Sequence, residues 1–234
     1  MKTFNLFIKT AIASFIFKPI FIVTLILTMI FSLAPFNSIA QNLDGVTIGN
    51  QVWMAKNLNV DKFRNGDPIP HARTKEEWKM AVKKGQPAWS YYENDPSNGE
   101  KIGKLYNWYA VNDPRGLCPV GWHVPSNNEW TQLTDYLGGV KEAVDKIKST
   151  YGWKDDRNGT NESGFNAFPS QRRNLSGNFT NEYNDVYANW WCSTEQDAKK
   201  AWMRGISSGG FSANNVYVGG FPKAIGISVR CVRD

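Results

Sequence analysis

Hydrophobic and polar positions divide the chain into an apolar opening and a body of short patterned segments. Residues 20–34 form the opening, interrupted only by Thr24, Thr28 and Ser32. At 46–54, β-branched and aromatic positions flank Gly49 and Asn50, which predicts two short strands joined by a tight turn. Gly and Pro residues at 65–70 mark a loop. Thr74 followed three positions later by Glu77 is a capping box, so a helix starts there; Trp78 and Val82 share one face of it and Gly85 ends it. Ser126 and Glu129 repeat that signal ahead of a second helix, whose Trp130, Leu133 and Leu137 form an apolar stripe ending at Gly138 and Gly139. A weaker helical pattern covers 140–148, with Val144 and Ile147 inward. Beyond Gly152, Asn-, Gly- and Ser-rich turns separate short β-prone runs at 187–193, 201–206, 216–218 and 225–232. Helices early and strands late predict an α+β fold, with the helices packed on a small, late antiparallel sheet.

The flanks of the apolar opening give it a meaning. Lys2, Lys9 and Lys18 precede it, the first forty positions hold no acidic residue, and Ser38, Ile39 and Ala40 supply a small-residue ending. Together these are the three parts of a secretory signal peptide over 1–40, with cleavage expected near Ala40 and a single domain over 41–234. The run falls short of the roughly 20 residues a membrane span needs. Pro35 also follows it directly, so an uncut anchor is the weaker alternative and the one expected route to a membrane. Loss of the three lysines takes the formal net charge from +6 to +3. Basic and acidic residues are interspersed, and so mild an excess argues against nucleic acid as a partner. Ten Trp, nine Tyr and thirteen Phe suffice for one aromatic core, while twenty Gly and eleven Pro favour turns over long helices.

Candidate chemistry is sparse. His71 and His123 lie far apart, and neither stands at metal-ligand spacing from a cysteine or from the other, so no zinc site is expected. His123, just before a helix, reads as a hydrogen-bonded structural histidine. Calcium needs only oxygen-rich turns, and 94–98 and 155–162 qualify by composition. Neither fits the EF-hand pattern, and plain polar turns are the stronger reading, so no cofactor is expected. Cys118, Cys192 and Cys231, in a chain bound for an oxidising compartment, imply one disulfide and one leftover thiol without saying which. No nucleophile elbow or comparable motif accompanies them, and a non-catalytic protein is expected.

Four segments carry a family resemblance: Gln51-Val52-Trp53-Met54-Ala55-Lys56-Asn57-Leu58, Gly103-Lys104-Leu105-Tyr106-Asn107-Trp108-Tyr109-Ala110-Val111, Gly116-Leu117-Cys118-Pro119-Val120-Gly121-Trp122-His123-Val124-Pro125-Ser126 and Ser228-Val229-Arg230-Cys231-Val232. Between them Gly164-Phe165-Asn166-Ala167, Arg172 and Trp190-Trp191-Cys192-Ser193-Thr194-Glu195 follow in order. The chain resembles the Fibrobacter succinogenes major paralogous domain, a family of exported bacterial proteins, over nearly all of 41–234. That resemblance implies a C-type-lectin-like fold, in the branch that also holds formylglycine-generating enzymes. It implies a Cys118–Cys231 disulfide too, because the family has cysteines at those places and usually a serine at that of Cys192. Cys192 is then the free thiol and reads as a small buried hydrophobe. The related enzymes need closely spaced cysteines near the C-terminus, which Cys192 and Cys231 are not.

The leading functional expectation is an exported binding module of the cell surface or exterior, recognising glycans or envelope polymers. A structural or adhesive surface component and an enzyme are the alternatives. Aromatic rings among amides suit sugars, and Tyr91, Tyr92, Tyr183, Tyr187, Trp190 and Trp191 have such neighbours, although core packing is the stronger reading of the two Trp. The polar connection from Gly164 to Trp190 is expected to be a long surface loop. It should present Arg172, Arg173, Asn174, Tyr183 and Asn184 on one side of the late sheet, because helices cover the other.

Overall fold

The computed structural model describes residues 44–180, 186–208 and 214–234. The expected signal segment, Tyr183 and Asn184 lie outside the described residues.

Strands β1 (Gly45–Ile48) and β2 (Gln51–Met54) form the expected hairpin, Val46 opposite Trp53. Gly49 turns it at φ +63°, where a side chain would be strained and would also stand 3.0 Å from the Tyr136 ring. Helix α1 (Lys75–Lys84) starts at a complete capping box: Thr74 accepts from the Glu77 amide and the Glu77 carboxylate accepts from the Thr74 amide. Gly85, left-handed at φ +61°, closes its last turn. Strand β3 (Trp89–Ser90), helix α2 (Asn98–Ile102), strand β4 (Leu105–Tyr106), helix α3 (Trp108–Val111) and strand β5 (Trp122–His123) follow. Helix α4 (Asn127–Tyr136) repeats the capping box at Ser126 and Glu129, and α5 (Glu142–Ile147) buries Val144 and Ile147 as the pattern predicts.

After the short hairpin of β6 (Arg172–Arg173) and β7 (Phe179–Thr180), strands β8 (Tyr187–Glu195), β9 (Lys200–Ser207) and β10 (Asn215–Pro222) form an antiparallel sheet of order β10-β9-β8. Helix α4 packs on β8 and β9, and α5 on β10. Ala188, Trp190, Cys192, Ile206 and Val216 meet Trp130, Leu133, Val144 and Ile147 there in one apolar cluster. A second cluster lies against Trp191, Ala201 and Met203 and includes Tyr106, Trp108, Ile227 and Val229. The architecture is therefore mixed, with few helices and small antiparallel sheets.

Two features depart from the pattern. The β1–β2 hairpin belongs to a four-stranded sheet of order β1-β2-β11-β5, where β11 is Val232–Arg233, so the last strand lies beside the N-terminal hairpin, between β2 and β5. The Cys118–Cys231 disulfide adjoins that seam and spans 113 positions, a loop whose closure stabilises by about 4 to 5 kcal/mol on the chain-entropy model. The run at 225–232, expected as one strand, is instead a buried thread whose backbone bonds go to a different element at almost every step. Gly226 bonds with Arg173, Ile227 with Tyr106, Ser228 with Trp191, Val229 with Leu58 and Cys231 with Met54. No single neighbour offers it a continuous ladder, and only β11 qualifies as a strand.

Candidate functional site

Successive strand residues point to opposite faces, and on β8 to β10 this decides what looks away from α4 and α5. Trp190 faces the helices; Tyr187 and Asn189 face the other way, with Gly205 opposite Asn189 and Tyr217 opposite Gly205. A β-carbon on Gly205 would collide with the Tyr217 ring and stand 2.7 Å from Asn189 Oδ1. With glycine there, the Tyr217 hydroxyl reaches across the middle strand and donates to Asn189 Oδ1 at 2.7 Å. Tyr187 stands edge-on to Tyr217, ring centres 6.3 Å apart.

The β6–β7 hairpin supplies the facing wall. Thr180 Oγ1 donates to the Arg172 carbonyl at 3.3 Å, and the Arg172 guanidinium lies 5.5 Å from the Phe221 ring centre. Ser170 ties this wall to β8: its amide donates to the Tyr187 carbonyl, and its hydroxyl accepts from the Asn189 amide. Between the two walls lies a cleft of about 180 Å³ lined by Ser170, Gln171, Arg172, Thr180, Tyr187, Asn189, Tyr217 and Phe221. Rings, hydroxyls, amides and one guanidinium thus share a small concave surface. Such a surface can cover an apolar ring face while holding hydroxyl groups or an anionic substituent.

The model of the Fibrobacter succinogenes major domain matches residues 46–233. The chain belongs to that family. No curated protein and no solved structure matches it. In this Fibrobacter succinogenes major domain the segments that carry the resemblance meet in the interior. Asn57 Oδ1 accepts from Trp190 Nε1 at 2.8 Å and from Arg230 Nε and Nη2 at 2.9 and 2.7 Å, while Asn57 Nδ2 donates to the Ile102 carbonyl. Those residues hold the domain together; they do not line the cleft under β6.

Of the expected ligand residues, Arg172 reaches the cleft. Arg173, next in sequence, is 1% exposed and points the other way. Its guanidinium donates to the carbonyls of Ala72, Thr74 and Gly177 and lies between the Trp78 and Phe179 rings, so it pins α1 to the hairpin and presents nothing to solvent. Asn174 closes the hairpin turn, its Oδ1 accepting from the amides of Ser176 and Asn178. The connection after Gly164 is accordingly not a plain surface loop, since Phe165, Ala167, Phe168, Ser170 and Arg173 are buried. Trp190 and Trp191 are core residues, both fully buried. Tyr217 and Phe221 escaped the sequence reading of the site, which had Asn189 only as one of the amides beside Tyr187; the spacing Tyr187-x-Asn189 and Tyr217-x-x-x-Phe221 was the available signal.

The remaining titratable candidates have structural employment. Cys192 is buried, and burial pushes its thiol up to about 12 against the opposing pull of Arg204, which suppresses the reactive thiolate. His123 sits between Glu129 Oε1 and Asp234 Oδ1, each at 2.7 Å. Burial disfavours its charged form, but the two carboxylates outweigh burial and raise its pKa above the ordinary histidine value. In the oxygen-rich turns, Asp95 accepts from the Ser97 amide, Asn158 from Trp153 and Asn161 from Asn166, so these side-chain oxygens close turns. Among the described residues no group of three or more His, Cys, Asp or Glu side chains is arranged to hold a metal ion. None of the described helices is long and apolar enough to cross a membrane.

Proposed function

We propose that this chain is exported, cut near Ala40, and acts outside the cytoplasm as a non-catalytic binding module on a C-type-lectin-like scaffold. It takes a glycan or another envelope polymer in the cleft between the β6–β7 hairpin and the late sheet. The observation that carries the reading is the cleft itself. It combines Arg172 with the Tyr217–Asn189 pair and the Phe221 ring, on the part of the sheet face turned away from α4 and α5 that the second apolar cluster does not cover. The Cys118–Cys231 disulfide supports an oxidising destination, and the buried Cys192 thiol speaks against a nucleophile.

The test is retention on isolated envelope polysaccharide, wild type against Arg172→Ala. The variant should keep the wild-type melting temperature and lose roughly tenfold in retention, the loss expected of one charge-assisted hydrogen bond. Equal retention would remove binding from this cleft, and a wild-type domain that is never retained would leave the structural or adhesive role. The export reading is checked separately, by the intact mass of protein recovered outside the cytoplasm; a mass still including residues 1–40 contradicts it.

A further inference from the structure

A second cleft, of about 320 Å³, opens elsewhere on the domain and is lined by residues of opposite chemical character. Phe168 and Tyr151 form an aromatic wall, rings edge-on at 5.0 Å, with Tyr151 61% exposed at the rim. Lys101 on α2 holds its ammonium 5.4 Å from the Phe168 ring centre, and Lys56, which follows β2, is exposed on the same rim. Arg230 belongs to the lining although it is only 2% exposed.

The charge state of this cleft is unusual. Arg230 donates to Asn57 Oδ1 through Nε and Nη2 and to the Phe165 carbonyl through Nη1, with the guanidinium 4.0 Å from the Phe165 ring centre. All of these partners are neutral. Those three bonds leave two of the guanidinium's five N–H groups without an acceptor among the described residues. None of Lys56, Lys101 and Arg230 is in an ion pair there either. Against these three cations the lining sets one acid, Glu100. A buried cation that lacks an anion is held at an electrostatic cost, and a carboxylate is its complementary partner in charge and in planar geometry.

We propose that this cleft is a second binding site, one that takes a carboxylate borne on a ring, with the carboxylate toward Arg230 and the ring against Tyr151 and Phe168. Lys56 and Lys101 draw the anion in from the rim, and the Asn166 amide, also in the lining, is available to a hydroxyl of the ring. The site shares no lining residue with the cleft at Arg172, so it stands or falls independently of the function proposed there.

Titration calorimetry with D-glucuronate, and with D-glucose as the neutral counterpart, tests it on the mature domain. Glucuronate should bind saturably in the millimolar range, with glucose roughly tenfold weaker or silent for want of the charge. Lys56→Ala/Lys101→Ala alters only rim side chains, so the domain should stay folded while glucuronate affinity falls by roughly tenfold. Arg172→Ala should leave glucuronate binding unchanged. Absence of saturable binding, equal affinity for glucose, an unchanged double variant, or loss of binding in Arg172→Ala would each overturn the assignment.

Discussion

On one face of the β8–β10 sheet, Ala188, Trp190, Cys192, Ile206 and Val216 meet α4 and α5; on the other, Tyr187, Asn189, Tyr217 and Phe221 border a cleft. Both faces are rich in aromatic side chains and both carry an arginine, so composition does not separate them. What lies opposite does. Arg204, on the helix side, spends its guanidinium on Asn127 and Thr131 of α4. Arg172, on the cleft side, lines the cleft that the short β6–β7 hairpin leaves open. A ring that fills space against a helix is fully buried, as Trp190 is, whereas the rings that border the cleft, Tyr217 and Phe221, stay half-buried.

Four substitutions and one titration can break or sharpen that contrast. The largest effect belongs to the covered face: Trp190→Ala should cost about 3 to 5 kcal/mol in urea unfolding, because it opens a cavity and strips a donor from Asn57. Phe221→Ala, on the open face, removes a half-buried ring and should cost about 1 kcal/mol. Equal losses would mean that the two faces are packed alike and would break the comparison. Gly205→Ala tests the middle strand, where the new methyl group must push Tyr217 and Asn189 aside. A stability loss of about 1 to 3 kcal/mol, together with loss of polysaccharide retention, is expected. Tyr217→Phe is milder: with the ring kept and one hydrogen bond removed, unfolding should shift by about 0.5 to 1.5 kcal/mol while retention falls.

The smallest effect is a titration away from both faces. His123 has a folded-state pKa above the ordinary 6.5, so its ion pairs with Glu129 and Asp234 stabilise fully below 6.5. That stability is lost as pH rises through the raised value. The ring is 39% exposed and screened by water, which holds the contribution below about 1 kcal/mol. Urea midpoints across neutral pH should show this step in the wild type and lose it in His123→Gln; an unchanged step would assign it to another group.

Much of the local structure was written in local signals. Thr74 with Glu77, Ser126 with Glu129, and Gly49 with Asn50 each decide a cap or a turn through neighbours a few positions away. What escaped depends on distant partners. Arg172 and Arg173 are identical in type and adjacent, and only the side of β6 toward which each points separates a cleft residue from an interior pin. The thread at 225–231 has the composition of a strand, but its hydrogen-bond partners are spread over the chain from Met54 to Trp191, and no periodicity within eight residues records that. Asn57 reads as an ordinary loop amide until Arg230, 173 positions later, folds against it. The cleft was half legible for the same reason: the side of the sheet that the helices cover followed from the helix stripe, whereas the second cluster over Trp191 and Met203 and the pairing of Asn189 with Tyr217 required the strand register and distant partners.

The contrast between the faces is tested most directly by backbone amide chemical shifts on adding envelope polysaccharide to residues 41–234. Shifts should change with saturation at Ser170 to Arg172, Tyr187, Asn189, Gly205 and Tyr217 to Phe221, and stay still along α4 and α5. Changes centred on α4 and α5, or a domain whose spectrum the polymer leaves unaltered, would contradict the assignment of binding to the open face.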